Sequence, residues 1–368
     1  MTAQEIITFA VTNRMLIQKY QREGLFASNP VIKQTEKHVL NACYLHTVET
    51  PLELVRLLGA FFHDVQNMIN EPIYRHHVLP KKRGGCRDIY APGRELKKMQ
   101  KQLNYYLQAY YLLIKPDDVH GFVINPHYLG RRCNIVENAM VHTGKSHLLN
   151  IDIKDLFPSI SAKRVKELFS SPLFNYDEQI TWALTMLTTY KGFLPAGAPT
   201  SPVLSNFICL ELDKELKDYA QISNLQYSRY ADDLTFSSDG RIHDEIILDI
   251  VSIINKNHFK INQKKLRLVG ANRRQTVTGI TVNQKVNVDR KLLKRTRAML
   301  HDLTTNGLYV ATSRHFHVAA DKNSALNSKF IRQLEGYINF IGQVRGREDN
   351  GYMKMKNSFD DLYAIPFE

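Results

Sequence analysis

The stretch that says most about the fold is Leu225-Gln226-Tyr227-Ser228-Arg229-Tyr230-Ala231-Asp232-Asp233-Leu234-Thr235-Phe236-Ser237. Its two flanks are rich in Tyr, Thr and Phe, which is typical of β-strands. The adjacent acids between them fit poorly inside a strand but well in a tight turn. We therefore predict a β-hairpin that carries Asp232 and Asp233 at its tip. Two carboxylates held this close favour a hard divalent cation, although an Asp-Asp pair in a turn is more often simply solvated.

A second acid lies in Leu148-Leu149-Asn150-Ile151-Asp152-Ile153, a short apolar run that predicts a buried strand. A carboxylate in such a strand costs free energy unless it is paired. Its partner is either a lysine or arginine side chain or a metal ion, and this run alone does not distinguish them. Together with the two acids of the hairpin, Asp152 would complete a two-metal site for phosphoryl transfer.

Three motifs resemble those of reverse transcriptases. Tyr230-Ala231-Asp232-Asp233 resembles their YxDD box, and the run from Asp152 to Ile160 resembles the motif that holds their first acid. Leu194-Pro195-Ala196-Gly197-Ala198-Pro199-Thr200-Ser201-Pro202 resembles the LPQGAPTSP segment between them. Three motifs in the right order are more specific than any one, so the chain is identified as a member of this family from about Ile73 to Tyr352.

The resemblance implies an α+β fold of the right-hand polymerase type. Residues 76–285 would form fingers and palm, with an antiparallel palm sheet backed by helices, and residues 286–368 a helical, RNA-binding thumb. Residues 1–75, whose apolar residues are spaced as in amphipathic helices, would be a helical N-terminal extension. The implied reaction is RNA-directed DNA synthesis, in which a primer hydroxyl attacks the α-phosphate of a dNTP at two Mg²⁺ ions, with Mn²⁺ as an alternative metal.

The resemblance also implies roles for the acids and for one lysine. Asp152, Asp232 and Asp233 would be catalytic and would bind the metal ions, helped by the backbone carbonyl of Ile153. Lys265 lies in a stretch that resembles the family's next motif, and it would protonate the leaving pyrophosphate as a general acid. A lysine at this place could equally be solvated.

A basic hairpin is predicted ahead of the first acid, because residues 80–92 read as strand, glycine turn and strand. Eight Lys or Arg residues but only two acids fall within residues 81–101. Such a hairpin could simply be solvated, but the resemblance implies that it closes over the incoming nucleotide. Arg87 would then contact the nucleotide's phosphates and Lys82 (or Lys81) the terminal ones, and such cations offset charge on the transferred phosphoryl group.

Two further positions are implied to contact the nucleotide. Phe157 stands where the family places the residue that crowds a ribonucleotide's 2′-OH and so favours dNTPs; ordinary core packing is the alternative. Gly197 belongs to a tight turn of small residues that would let the backbone approach a base pair closely. Ala196 departs from the family pattern, which has glutamine there, and this leaves open how tightly dNTPs bind.

An amphipathic basic helix is predicted to begin after Asp289, a residue type that caps helix N-termini. Its apolar residues recur at helical spacing. Five cations occupy its other faces: Arg290, Lys291, Lys294, Arg295 and Arg297. From residue 260 to residue 297 there are twelve Lys or Arg and a single acid. Such a face either binds nucleic-acid phosphates or is merely solvated.

Composition bounds the partners and the compartment. The formal net charge of +13 fits a polyanionic partner, although a basic protein can also be merely soluble. The four cysteines include no CxxC pair, so we expect reduced thiols and a cytoplasmic protein rather than a zinc knuckle or disulfide framework. We see no signal peptide, and the apolar run Leu54–Phe62 is too short to span a membrane, so we expect no membrane partner.

Two short patterns resemble retron reverse transcriptases in particular. Asn138-Ala139-Met140-Val141-His142 precedes the first acid, and Val277-Thr278-Gly279 lies in a predicted strand of a β-hairpin. We interpret His142 itself as structural, and we see no stretch like RNase H, integrase, maturase or HNH domains. The resemblance implies a structured noncoding RNA that serves as template and as primer through a 2′-OH. It further implies dNTPs as substrates, a DNA product, and antiphage defence with a separate effector protein.

Two alternatives remain open. Another defence-associated reverse transcriptase, or a group II intron relative without its maturase domain, would carry most of the same motifs. A neighbouring gene for a short noncoding RNA with inverted repeats would separate these from a retron enzyme. A catalytically silent RNA-binding scaffold is the alternative of another class, and the presence of all three acids argues against it.

Overall fold

The computed structural model describes residues 2–22, 34–81, 84–126, 133–319, 321–322 and 324–364. Its strands are β1 (Tyr74–Pro80), β2 (Cys86–Pro92), β3 (His147–Asp152), β4 (Gln226–Tyr230), β5 (Asp233–Ser238), β6 (Arg267–Gly270), β7 (Thr276–Val277) and β8 (Ile280–Thr281). Its helices are α1 (Ala3–Thr12), α2 (Arg14–Arg22), α3 (Gln34–Leu45), α4 (Pro51–Leu58), α5 (Phe62–Asn70), α6 (Arg94–Ile114), α7 (Ile135–Met140), α8 (Leu156–Ser159), α9 (Ala162–Ser170), α10 (Glu178–Thr188), α11 (Ser201–Ile208), α12 (Leu210–Ile222), α13 (Asp244–Lys256), α14 (Arg290–Phe316), α15 (Ala325–Arg345) and α16 (Asn350–Ala364). This mixture of helices and antiparallel strands confirms the predicted α+β class.

The described residues between 2 and 70 form five helices, α1 to α5. Asn13 separates α1 from α2, and Gly59 ends α4 with φ of +60°, in the left-handed region that glycine adopts easily. Two hydrogen bonds fasten α2 to α4, because Arg14 and Gln18 both donate to Oε1 of Glu53, at 2.7 and 2.8 Å.

A four-stranded sheet in the order β4-β5-β3-β6 carries the predicted acids. β4 and β5 form the predicted hairpin, and their two-residue connection, Ala231-Asp232, requires them to be antiparallel. β3 is the predicted buried strand and lies next to β5, which sets the first acid beside the hairpin. The apolar side chains of Leu149, Ile151, Leu234 and Phe236 are at most 1% exposed, so their burial fixes the register of the two strands.

β1 and β2 form the predicted basic hairpin and pair antiparallel along their whole length. Gly84 and Gly85 in its turn both have positive φ, a conformation that glycine adopts without steric cost. The N–H of Tyr90 donates to the carbonyl of Ala196 at 2.7 Å, which ties the hairpin to the small-residue turn.

By its internal contacts the chain divides into two compact units. The first comprises Met1–Cys133, Asn150–Thr235 and Ile242–Leu266, and the second Asn134–Leu149, Phe236–Arg241 and Arg267–Glu368. In the second unit, α7, the β7–β8 hairpin and α14 to α16 share one apolar core that includes Val277, Met299, Phe330 and Leu334, all fully buried. The predicted boundaries after residues 75 and 285 separate an N-terminal extension, fingers and palm, and a thumb, whereas these units are defined by contacts. The predicted boundaries stay a prediction.

The expectation for Val277-Thr278-Gly279 is wrong in one respect, because these residues are not a continuous strand. β7 and β8 pair antiparallel, and Thr278 and Gly279 form the turn between them, with φ of +48° and +85°. Two-residue hairpin turns need positive φ, which glycine supplies readily and which makes this pattern a turn signal.

Two further features bear on the expected partners and compartment. No helix in the described ranges is both long and apolar enough to cross a membrane. All four cysteines are free thiols, and burial raises the pKa of Cys43 and of Cys209 to about 11.

Candidate active site

Backbone hydrogen bonds bring the acid-bearing elements together. The N–H of Ile153 donates to the carbonyl of Asp232 at 2.8 Å, which joins the end of β3 to the tip of the hairpin. The N–H of Asn262 donates to the carbonyl of Asp152 at 2.8 Å, which joins the same strand to the segment that leads to Lys265. Asp152, the Asp232-Asp233 pair and Lys265, which are far apart in sequence, therefore lie in one neighbourhood.

The hairpin presents its two acids differently. Ala231 adopts a left-handed conformation with φ of +59°, Asp232 completes the turn, and Asp233 opens β5. Asp232 is half-buried and Asp233 is exposed, whereas Asp152 on the neighbouring strand is buried at 6% exposure. The predicted hairpin tip is thus confirmed, with one acid in the turn and one at the start of the strand.

The pKa values of Asp232 and Asp233 are both raised above the ordinary value for aspartate. Burial, and then the charge of Asp152, raises the pKa of Asp232. Asp233 is exposed as a residue, but the surrounding protein partly desolvates its carboxylate. This desolvation, followed by the negative charges of Asp232 and Asp152, raises the pKa of Asp233 to about 6. An opposite charge in the same place would restore the ionised forms.

Lys265 supplies one such charge. Its ammonium contacts Oδ1 of Asp152, so the partner of the buried acid in this structure is a lysine. Desolvation alone would lower the pKa of Lys265, but the contact with Asp152 and the charges of the other two acids outweigh it, and the pKa is raised. The raised pKa keeps Lys265 charged at neutral pH, which suits a counter-charge to Asp152, and makes its ammonium a weaker proton donor than that of an ordinary lysine.

The donor set at this tip fits a hard divalent cation. Carboxylate and backbone carbonyl oxygens are the ligands such ions prefer. Burial, with a further contribution from the neighbouring carboxylates, raises the pKa values of Asp232 and Asp233, so a bound cation would favour their ionised forms. In the part of the chain that the structure describes, no three His, Cys, Asp or Glu side chains are already gathered as a metal cluster, so ligation by these acids stays a prediction.

The predicted nucleotide contacts are placed as follows. Arg87 lies exposed on β2. Its positive charge lowers the pKa of Asp232 and so partly offsets the effect of burial, which shows that the guanidinium is close enough to act on this acid. Lys82 falls outside the described residues. A Cβ on Gly197 would lie 2.9 Å from the carbonyl oxygen of Tyr90, so a glycine is needed there for the turn to pack against the basic hairpin.

Phe157 lies on the short helix α8, directly after the first acid. It is half-buried, so one part of its ring remains accessible. Its ring stacks on that of Phe122, with 5.7 Å between centroids and 29° between planes. Its contact with a nucleotide stays a prediction.

Sequence reasoning missed Arg229, which lies in the hairpin itself. Its Nε and Nη2 donate to the two carboxylate oxygens of Asp213 at 2.7 and 2.6 Å, and both side chains have no exposed surface. The hydroxyl of Tyr227 donates to the same Asp213 at 2.8 Å. An arginine inside a predicted strand is the signal that could have revealed this pair, since a buried charge requires a partner.

All five predicted thumb cations are exposed on α14. At 3.6 residues per turn they lie opposite the buried residues Thr296, Met299, Leu300 and Leu303. Within the described residues none of the five forms an ion pair, and Arg295 lies over the ring of Tyr337 at 5.7 Å. These cations are therefore available to an external polyanion.

His142, the histidine of the first retron-like pattern, lies in a buried environment. His142 follows α7, has no exposed surface, and its Nδ1 lies 2.7 Å from the hydroxyl of Ser237. Asn138 on α7 is also buried, at 1% exposure. These positions agree with the interpretation that His142 has no part in proton transfer.

Comparison with known sequences identifies the family of this chain. The profile of the family described as "Reverse transcriptase (RNA-dependent DNA polymerase)" matches residues 79–282. The Retron Ec86 reverse transcriptase of Escherichia coli is 37% identical over 297 residues, which cover 79% of this chain and 82% of that protein. The Retron Mx65 reverse transcriptase of Myxococcus xanthus is 35% identical over 247 residues, which cover 62% of this chain and 56% of that protein.

The chain therefore belongs to the reverse transcriptase family, whose members are RNA-directed DNA polymerases. Within that family it is a retron-like prokaryotic reverse transcriptase. Among solved structures, a telomerase from Candida albicans aligns with 80% of this chain and 64% of its own length, at 11% identity and a TM-score of 0.42.

Proposed function

We propose that this enzyme copies a dedicated, structured noncoding RNA into single-stranded DNA and begins synthesis from a 2′-OH of that RNA. The observation that carries this is the joint presence of the reverse transcriptase acids and of similarity to several retron enzymes over most of the chain. The two retron-like patterns, around Asn138 and around Gly279, support it. A role in antiphage defence in the cytoplasm, with a separate effector protein, follows from the same resemblance.

In this proposal the acids act as metal ligands. Asp152, Asp232 and Asp233, with the carbonyl of Ile153, would hold two Mg²⁺ ions. When bound, these ions lower the barrier by stabilising charge on the attacking and leaving oxygens. The N–H of Ile153 donates to the carbonyl of Asp232, which holds Ile153 beside the hairpin and supports this role for its carbonyl.

The remaining site residues would bind and orient the nucleotide. Arg87 would neutralise its phosphates, together with Lys82. Lys265 would hold Asp152 in place and donate a proton to the departing pyrophosphate. Phe157 would crowd a 2′-OH and thereby select dNTPs over rNTPs.

The thumb cations would hold the RNA. Phosphate contacts alone give binding that is strongly salt-dependent but indiscriminate. A shaped RNA adds contacts from its loops and 2′-hydroxyls, which allow one RNA to be recognised. The exposed face of α14 supplies the charge for such a surface.

The proposal is tested by the nucleic acid that copurifies with the protein from its native host. We expect one structured RNA whose DNA product remains covalently joined to it through a 2′,5′ linkage, resists ordinary RNase, and is released by a debranching enzyme. The matched control is the Asp232→Ala/Asp233→Ala variant, which should retain the RNA and carry no DNA. DNA without branched RNA would identify a reverse transcriptase of another kind, and RNA without DNA on the unmodified protein would identify a binding scaffold.

A further inference from the structure

Phe122 stacks on the face of Phe157 and is itself held rigidly against the catalytic hairpin. We propose that Phe122 is a positioning residue that backs the Phe157 ring and thereby sets the enzyme's discrimination between dNTPs and rNTPs. This inference rests on the proposed role of Phe157 as the residue that meets the sugar. No motif in the sequence assigns Phe122 a function, and the pairing joins residues 35 positions apart.

The geometry of the ring pair is that of a supporting contact. The centroids are 5.7 Å apart and the planes are 29° from parallel. Offset stacking of this kind stabilises both rings beyond the area they bury. A ring that must resist displacement by a 2′-OH is held in place by a stacked neighbour, and Phe122 is such a neighbour of the half-buried Phe157.

The backbone at Phe122 is fixed by partners on both sides. The carbonyl of Gly121 accepts a hydrogen bond from Nδ2 of Asn206 at 3.0 Å. The carbonyl of Phe122 accepts one from Nε2 of Gln108 at 3.0 Å. Phe122 itself has φ of +60°, a left-handed conformation uncommon for a large side chain and therefore maintained by its surroundings.

The same segment lies directly against the catalytic hairpin. A Cβ on Gly121 would come within 2.3 Å of the backbone nitrogen of Ala231, so only glycine permits this approach. The N–H of His120 donates to the carbonyl of Arg229 at 3.0 Å, which adds a strand-like contact beside it. One short segment therefore sets both the position of the hairpin that holds Asp232 and the position of the ring behind Phe157.

The test is single-nucleotide extension by the purified full-length protein with a matched dNTP and rNTP. We compare the ratio of kcat/KM for rNTP to that for dNTP. Phe157→Ala should raise this ratio most. Phe122→Leu, and Phe122→Met as a second ring-less variant, should raise it roughly threefold to tenfold, the range expected for losing one stacked ring pair. Most of the change should come from a lower KM for the rNTP, because the site then admits the 2′-OH.

Three further variants make the test specific. Phe122→Tyr keeps the ring and should keep the wild-type ratio. Phe122→Leu combined with Phe157→Ala should be no more permissive than Phe157→Ala alone, because Phe122 acts through Phe157. The control is Phe174→Leu, which removes a buried ring that stacks on Tyr176 at 5.9 Å and 29° and also packs against Tyr110, Phe169 and Phe207; it should lower stability and leave the ratio unchanged.

The outcomes separate the two claims. If Phe157→Ala relaxes discrimination while both ring-less Phe122 variants keep it, the inference is wrong and the role of Phe157 stands. Additive effects of the two positions would also overturn the inference, since Phe122 would then act independently. If Phe157→Ala leaves the ratio unchanged, the proposed sugar contact fails and the inference fails with it.

Discussion

Arg229 donates a hydrogen bond from Nη1 to the carbonyl of Ala231, at 3.2 Å, at the tip of the hairpin that carries two of the acids. The same nitrogen also donates to Oδ1 of Asn206 at 3.0 Å. The rest of the guanidinium is held by Asp213. The buried ion pair is therefore connected directly to the residue that precedes Asp232, and it should position this acid as well as stabilise the fold.

Replacing one partner of this pair should unfold or strongly destabilise the protein. Arg229→Met leaves Asp213 buried without a counter-charge, which costs about 3–5 kcal/mol. Arg229→Met combined with Asp213→Leu should recover much of that stability, because both charges are gone. Urea unfolding of the two variants measures the difference.

DNA synthesis by the stable double variant then reports on positioning. Ala231 has lost its donor, so we expect synthesis to remain well below wild type although the protein is folded. Wild-type kcat in the double variant would show that the pair serves stability alone.

Removing charge from the thumb should affect the cognate RNA most. In a variant with Arg290→Gln, Arg295→Gln and Arg297→Gln, we expect loss of synthesis on the copurifying RNA and a smaller loss on a generic annealed primer–template. The salt dependence of RNA binding should also become shallower, because each lost phosphate contact reduces its slope. Filter binding at several salt concentrations measures this.

A control removes three exposed charges from α9, α12 and α13: Lys163→Gln, Lys214→Gln and Lys256→Gln. Two of these lysines, Lys163 and Lys256, form ion pairs with Glu167 and Glu215, so this variant loses more local contacts than the thumb variant. The control should leave binding of the cognate RNA nearly unchanged. Equal losses on both templates in the thumb variant would contradict specific RNA recognition by this surface.

His46 should make the fold sensitive to mild acid. It is buried at 7% exposure with its ring edge-on to Tyr110, and burial lowers its pKa from 6.5 to about 4. The folded state thus binds this proton less readily than the unfolded state. Its contribution to stability is complete above pH 6.5 and is lost as the pH falls towards 4, by on the order of 3 kcal/mol. Urea unfolding of wild type and His46→Gln between pH 7.5 and 4.5 checks this, and parallel curves for the two proteins would rule it out.

The predictable part of the site is the part encoded in local patterns. The hairpin around Asp232 and the strand of Asp152 follow from strand-forming residues interrupted by acids, and the start of α14 follows from a capping aspartate at Asp289. The meeting of the hairpin with the strand of Asp152 was predicted from the family resemblance and not from periodicity. The sequence alone could not show it, because the backbone bonds that join these elements are long-range.

The remaining features of the site depend on tertiary contacts that no local sequence pattern indicates. The stacking of Phe122 on Phe157 and the pairing of Lys265 with Asp152 join residues distant in sequence. Thr278 and Gly279 were expected within a strand, but their positive φ values make them a turn. Here the turn chemistry of glycine outweighs strand propensity.

The most direct test of the account is Mg²⁺-dependent extension of a primer on an RNA template by proteins that lack the acids. Asp152→Ala and Asp232→Ala should each reduce the rate by several orders of magnitude, because stabilisation of the transition state by bound metal contributes several kcal/mol. Circular dichroism and RNA copurification should remain near wild type, which separates loss of chemistry from loss of fold. The account predicts no measurable extension by the Asp232→Ala/Asp233→Ala double variant, and retained polymerisation by that purified variant would contradict it.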